Sequence, residues 1–182
     1  MGQDKALLRH HHQAPTLLAR TCAAAAACTT SVYILSPWPQ RYQDAVAVLL
    51  EEPHPGQGPL CALEQGWQLI DEHRLPPDWL LLLACDLPAL DGPTLRDWMK
   101  QTASVGAAIA ALPYAEGRWQ PLCGFYHRRC RPSLKRAVAT GTRSFQKWLK
   151  QEAILTLRTD SANVLQNCNT PAEWREFLHQ GL

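Results

Sequence analysis

Apolar residues along this chain come in short uninterrupted blocks rather than in strict alternation. The strongest block lies in Trp79-Leu80-Leu81-Leu82-Leu83-Ala84-Cys85-Asp86-Leu87-Pro88, flanked at its start by Pro76-Pro77-Asp78. Such a run has the length of a strand covered on both faces, as in the middle of an α/β sheet. Asp86 sits where that strand runs out, and Pro88 turns the chain outward. In open α/β sheets ligands bind in the crevice outside the carboxyl ends of the strands. An acid at this point holds a metal or a ribose, or simply caps a turn; the segment alone leaves both readings open.

The remaining blocks alternate in type. Ala14 to Cys28, with Pro15 near its start and a run of alanines, predicts a helix. Ser31 to Leu35 and Ala45 to Leu50 predict strands, ended by Ser36-Pro37-Trp38-Pro39 and by Glu51-Glu52-Pro53-His54-Pro55-Gly56. Gly58-Pro59-Leu60 opens a helix running to about His73, whose backbone N–H groups attract anions or serve as a plain helix start. Asp91-Gly92-Pro93-Thr94 leads an amphipathic helix to about Thr102. Strands are expected at Val105 to Leu112, Trp119 to Tyr126 and Ala153 to Leu157. Helices are expected near Pro132 to Ala139 and Ser144 to Gln151, and after Thr170-Pro171. Alternation of this kind predicts one α/β domain over residues 1–182, with a mostly parallel sheet covered on both faces and hence three layers.

Composition narrows the function. With 182 residues, 46% of them hydrophobic, the chain supports one domain with a real core. A net charge of +2 is too balanced for nucleic acid or an acidic membrane as the main partner. The apolar runs are too short to span a bilayer and the first residues lack a signal-peptide apolar region, so a cytoplasmic protein is expected. Seven cysteines with no Cys-x-x-Cys pair argue against a disulfide framework and against a tight zinc site. His10-His11-His12 reads as a solvated loop before it reads as a metal site.

Four stretches carry a family resemblance: Met1-Gly2-Gln3-Asp4-Lys5-Ala6-Leu7-Leu8, Gly58-Pro59-Leu60, Cys85-Asp86-Leu87-Pro88 and Asn167-Cys168-Asn169-Thr170-Pro171. In this order the chain resembles the molybdenum cofactor guanylyltransferases, nucleotidyltransferases with a Rossmann-like sheet. The resemblance implies transfer of GMP from GTP to molybdenum-bearing molybdopterin, with Mg²⁺ present and pyrophosphate released. It implies that Lys5 meets the nucleotide phosphates as a point charge and that Asp86 holds Mg²⁺. It places Glu52, where the family usually carries aspartate, and Gly58 and Pro59 on the nucleotide side, with Ser36 near a position that touches guanine. Arg143, in Gly-Thr-Arg-Ser, and Asn167 and Asn169 fall on the pterin side. Molybdoenzyme maturation proteins are implied as further partners.

The chain departs from the resemblance at its front. In the family a strand and a glycine-rich loop of the form Leu-Ala-Gly-Gly-x-Ser-x-Arg precede Met-Gly-x-Asp-Lys, whereas here the first strand is missing. Two explanations stand: the start was assigned at an internal methionine, or a short form exists that is catalytically crippled. A rival function follows, a truncated non-catalytic relative that binds the pterin cofactor or a partner protein. A second rival is a cytidylyltransferase of the same cofactor, although the Met-Gly-x-Asp-Lys form favours GTP over CTP.

Overall fold

Helices and strands alternate along the chain as the block pattern predicts. The computed structural model describes residues 4–9, 11, 13–73, 77–159, 162–168 and 173. The elements are α1 (Leu17–Ala25), β1 (Tyr33–Ser36), β2 (Val48–Glu51), α2 (Pro59–His73), β3 (Trp79–Leu83) and α3 (Gly92–Gln101), followed by β4 (Ala110–Ala115), β5 (Arg118–Trp119), β6 (Cys123–His127), α4 (Arg131–Ala139), α5 (Phe145–Leu149) and β7 (Ile154–Leu157). Side-chain caps fix several helix starts, each supplying an acceptor to an otherwise orphaned N–H. Thr16 accepts from Ala19 N at 3.0 Å, Asp91 from Thr94 N at 2.9 Å and Ser144 from Lys147 N at 3.3 Å. The helix expected after Pro171 lies outside the described residues.

The sheet is filled from two sides, and the period-two rule shows which residue serves which layer. Leu80, Leu82, Ala110, Leu112 and Tyr126 meet Leu63 and Trp67 of α2, Leu134 of α4 and Trp148 of α5. Their neighbours Leu81, Leu83, Ala111, Cys123 and Phe125 face Ala24 of α1 and Leu95 and Trp98 of α3. The outcome is the three-layer α/β arrangement expected from the sequence.

Strand direction is more mixed than alternation alone predicts. β1 and β2 pair in parallel, as do β4 and β7, whereas β6 runs antiparallel to β3 on one side and to β4 on the other. Parallel neighbours need a crossover of a dozen or more residues. Residues 116–122 between β4 and β6 hold only the hairpin partner β5 and a turn, so β6 enters reversed. The single strand expected over Trp119 to Tyr126 is split for a related reason, because Pro121 falls in that turn and has no N–H for a ladder. β4 begins later than Val105, since Gly106 at φ +52° and the Ala108 N to Val105 O bond fold residues 105–108 into a turn.

Among the described residues the strands form two separate sheets, β1–β2 and the sheet holding β3, β6, β4, β5 and β7. β3 therefore lies at an edge, and all five of its residues are partly exposed. Both faces of β3 are packed, as expected, Leu80 and Leu82 on one side and Leu81 and Leu83 on the other, and the partial exposure arises at its second edge, which among the described residues carries no ladder.

One glycine is fixed by packing. A Cβ on Gly124 would stand 2.6 Å from Leu112 Cδ2 and 2.7 Å from the carbonyl oxygen of Ala111. A backbone oxygen in a ladder cannot rotate away, so Gly124→Ala is expected to lower the unfolding free energy by about 2 kcal/mol. Urea denaturation with an unchanged slope checks this.

Candidate active site

Three distant segments are brought to the carboxyl end of β3 by a small apolar knot. Leu8, Leu17 and Cys168 are buried against one another, with Ala89 packed on them. Leu17 N donates to Leu8 O at 2.9 Å, Cys168 N to Asp86 O at 2.8 Å, and Arg20 Nη2 to Pro88 O at 3.2 Å. The segment around Lys5, the turn after β3 and the segment around Asn167 are thereby held together.

Asp4 caps the short 3-10 turn Lys5–Leu7 by accepting from Ala6 N at 3.1 Å. Its other oxygen accepts from Tyr42 Oη at 3.0 Å, and Arg41 stands 3.9 Å away. Ser36, buried at the end of β1, accepts from Trp38 N at 3.1 Å and also engages the Tyr42 hydroxyl. Burial first, and then the hydrogen bond and charge of Asp4, raise the Tyr42 pKa, partly opposed by Ser36. A phenol so raised keeps its proton, and its donor role toward Asp4, across the neutral range. An ultraviolet titration of the parent against Tyr42→Phe should show Tyr42 ionising above the ordinary phenol value of 10.0. Asp4→Asn should bring it down; ionisation at or below that value in the parent would contradict the Asp4–Tyr42 pair.

Lys5 and Asp86 share a neighbour in Cys85. The thiol is pushed up to about 11, chiefly by burial and then by Asp86, with Asp4 also raising it and Lys5 lowering it. Lys5 and Asp86 therefore both act electrostatically on the thiol after the end of β3, Asp86 the more strongly. Asp86 is partly exposed, and its carboxylate makes no hydrogen bond or ion pair among the described residues. Of the same residues, no three His, Cys, Asp or Glu side chains cluster as a metal cage. A partly exposed carboxylate without a hydrogen-bond or ion-pair partner among the described residues suits a cation such as Mg²⁺, which takes one or two carboxylates and completes its shell with phosphate oxygens and water.

The residues that the resemblance assigns to the nucleotide lie around the mouth of α2. Glu52 N donates to Ser36 O at 3.0 Å, which ties the end of β2 to the end of β1. Gly58 sits at φ +87°, where only glycine is unstrained, and its carbonyl accepts from Cys61 N and Ala62 N, with Pro59 as the first residue of α2. Buried Gln65 clamps the loop ahead of α2 by accepting from His54 N at 2.7 Å and donating to His54 O and Cys61 O. Arg143 donates to Val138 O at 3.1 Å and Thr142 O at 3.2 Å and reaches Gln57 Oε1 at 3.4 Å, so it borders this same loop. Asn167 is exposed one residue before Cys168, and Asn169 lies outside the described residues. Sequence reasoning missed Tyr42 and Gln65, neither of which stands in a motif; Asp4 was visible only as part of one.

An α/β sheet with an acid just past the end of a strand and a glycine-proline helix mouth is of the kind that handles phosphorylated nucleotides. The chain belongs to the family described as the MobA-like NTP transferase domain, which it matches over residues 1–156, and it is a nucleotidyltransferase of that type. It is 43% identical over 176 residues to a probable molybdenum cofactor guanylyltransferase of Trichormus variabilis, covering 95% of this chain and 82% of the relative. A protein of the same name from Synechococcus elongatus is 42% identical over 181 residues, covering 96% and 90%. Among solved structures, molybdopterin-guanine dinucleotide biosynthesis protein A of Archaeoglobus fulgidus superposes with a TM-score of 0.73 at 16% identity, covering 98% of this chain and 92% of that one. The 2-C-methyl-D-erythritol 4-phosphate cytidylyltransferase of Thermus thermophilus gives 0.69 at 16% identity, covering 97% and 94%. Both structural likenesses bear on the fold. No helix among the described residues is long and apolar enough to cross a membrane.

Proposed function

We propose that this chain transfers GMP from GTP to the terminal phosphate of molybdenum-bearing molybdopterin and releases pyrophosphate. The reading is carried by membership of the MobA-like NTP transferase family, with Lys5 and Asp86 both acting electrostatically on Cys85 at the end of β3 as support. It is supported by the shared name of the relatives above 40% identity. A pterin phosphate oxygen attacks the α-phosphorus of GTP in line, the bond to the bridging oxygen breaks, and that oxygen leaves with the pyrophosphate. Two polyanions must be held together against their repulsion, and the protein's share is positioning and charge.

Lys5 supplies the positive charge to the nucleotide phosphates and is oriented by the Asp4-capped turn, itself fastened to Tyr42. Asp86 is the residue that holds Mg²⁺, a divalent ion that neutralises charge on the transferring and leaving phosphates when bound. Glu52, Gly58 and Pro59 border the nucleotide, with Ser36 on the guanine side. Arg143, Asn167 and Asn169 are assigned to the pterin, whose product passes to molybdoenzyme maturation proteins.

The test is release of pyrophosphate from GTP and Mg²⁺ when molybdopterin is supplied. Consumption of CTP with GTP untouched would replace this reading with the cytidylyl one. Among the described residues β3 has no ladder on its second edge, which leaves one other reading, a non-catalytic relative that binds pterin or hands it to a partner. Tight molybdopterin binding with neither nucleotide consumed would select that one.

A further inference from the structure

Trp38 stands largely in solvent, yet it is held in place like a buried residue. It is 55% exposed, just past the carboxyl end of β1, between Pro37 and Pro39. The two prolines restrict the backbone on either side of it. Trp38 N donates to Oγ of buried Ser36 at 3.1 Å, and Trp38 O accepts from Arg41 N at 3.1 Å. The Arg41 guanidinium lies over the indole, 4.6 Å from the ring centroid. Arg41 Nη1 is in turn 3.9 Å from Asp4, the cap of the turn that carries Lys5. One side chain therefore spans from the ring to the segment assigned to the nucleotide phosphates.

We propose that Trp38 is the stacking platform for the purine base of the nucleotide, and that Arg41 is the positioning residue that locks its ring. The inference rests on the nucleotide-transfer reading and adds to it the side chain that selects the base.

Ligands of open α/β sheets gather outside the carboxyl ends of the strands, and Trp38 stands two residues beyond the last residue of β1. A nucleoside triphosphate carries its charge at one end and its flat base at the other. With the phosphates at Lys5, the base needs a surface a short distance away, and Arg41 ties an aromatic ring to that same turn. The guanidinium covers one face of the indole and still leaves the residue more than half exposed, so a second flat ring finds an open face. Because backbone and ring are already fixed, little ordering remains to be done when the base arrives. A purine offers a larger face than a pyrimidine, so the platform favours GTP over CTP. The pterin is also a flat heterocycle, but Arg143, assigned to it, borders the loop ahead of α2 through Gln57. Trp38 is bonded instead to Ser36, whose carbonyl holds Glu52 N on the nucleotide side.

Equilibrium binding to the 182-residue chain tests this, with Mg²⁺ present, no acceptor, and GTP, CTP and inorganic tripolyphosphate as probes. Trp38→Ala should raise the GTP dissociation constant by about 10–100-fold, the loss typical of removing one aromatic from a stacked base. CTP should weaken by less than about fivefold, and tripolyphosphate, which has no base, should bind as it does to the parent. Trp38→Phe should recover most of the GTP affinity, whereas Trp38→Leu, apolar but without a π face, should not. Arg41→Met keeps an apolar stem over the ring and drops the charge; it should weaken GTP by about threefold and leave tripolyphosphate unchanged. Each variant should melt within about 2 °C of the parent, as expected of substitutions outside the core. Equal GTP affinity in the parent and Trp38→Ala overturns the platform, as does a loss of tripolyphosphate affinity in Trp38→Ala or a loss of molybdopterin binding in place of GTP. Weakened tripolyphosphate binding in Arg41→Met overturns its role through the ring and puts its charge on the phosphates. The transfer reading fails separately. A parent that binds GTP more tightly than Trp38→Ala but transfers no GMP to molybdopterin keeps the platform and loses the reaction, while a parent that binds no GTP removes both.

Discussion

Asp86→Asn should lower the rate of pyrophosphate release by about a thousandfold and leave the fold intact. The size follows from removing a charged group aimed at a transferring phosphoryl centre, where the loss of one preorganised contact costs on the order of 10²–10³ in rate. Asparagine keeps the volume and one oxygen but not the charge that holds a hard divalent cation. Two features of the site make the substitution clean. The Asp86 carboxylate has no hydrogen-bond or ion-pair partner among the described residues, so no structural contact is lost with it. The bond that anchors this turn runs from Cys168 N to the backbone oxygen of Asp86, which survives the change.

A local readout separates loss of charge from loss of structure. Asp86 is the second cause, after burial, of the raised Cys85 pKa. Removing it lowers that pKa, so Cys85 should be alkylated faster at a given pH in Asp86→Asn than in the parent, because the thiolate is the reactive form. Unaltered melting, faster alkylation and a collapsed rate together identify Asp86 as a group acting on the phosphates. A rate within threefold of the parent would remove it from the mechanism.

How much of this was legible beforehand depends on whether the controlling contact is local. β3 and the position of Asp86 at its end follow from a run of leucines closed by proline, and α3 from the Asp91 cap and Pro93. These are decided by neighbours in sequence. The reversed β6 is decided by the absence of a crossover in residues 116–122, a matter of connection length that hydrophobic pattern does not encode. The mixed exposure of β3 depends on what lies against its second edge, which no property of Leu80 to Leu83 reports. Lys5 and Asp86 are assigned through motifs, but bringing the segment at Lys5 to the turn after β3 depends on Leu8, Leu17 and Cys168 packing together. Tyr42 and Gln65 escaped notice because each acts on a partner whose position only the fold supplies: Asp4 for one, the loop at His54 for the other.

Tyr126→Ala should destabilise the protein by about 4 kcal/mol, the cost typical of deleting a large aromatic from a sealed core. Tyr126 is fully buried in β6, directly opposite Leu80 of β3 and Ala110 of β4. Its ring stacks on Trp148 at 6.1 Å and leans against Phe145 at 6.0 Å, so it also fixes α5 to the sheet. Its hydroxyl donates to Pro121 O at 2.7 Å and holds the turn that starts β6. Burial pushes the phenol far above its usual ionisation range, so this donor is kept at every pH at which the protein is handled. Tyr126→Phe removes the hydroxyl alone and leaves the Pro121 carbonyl without that partner, an expected loss of about 1–2 kcal/mol. The difference between the two variants is then the share of ring packing. Chemical denaturation measures both, and for a chain of this size the alanine variant should melt about 8–16 °C lower. A loss below about 1.5 kcal/mol for Tyr126→Ala would mean that α5 and the sheet collapse to fill the space, and that the core is far less rigidly packed than the stacked rings imply.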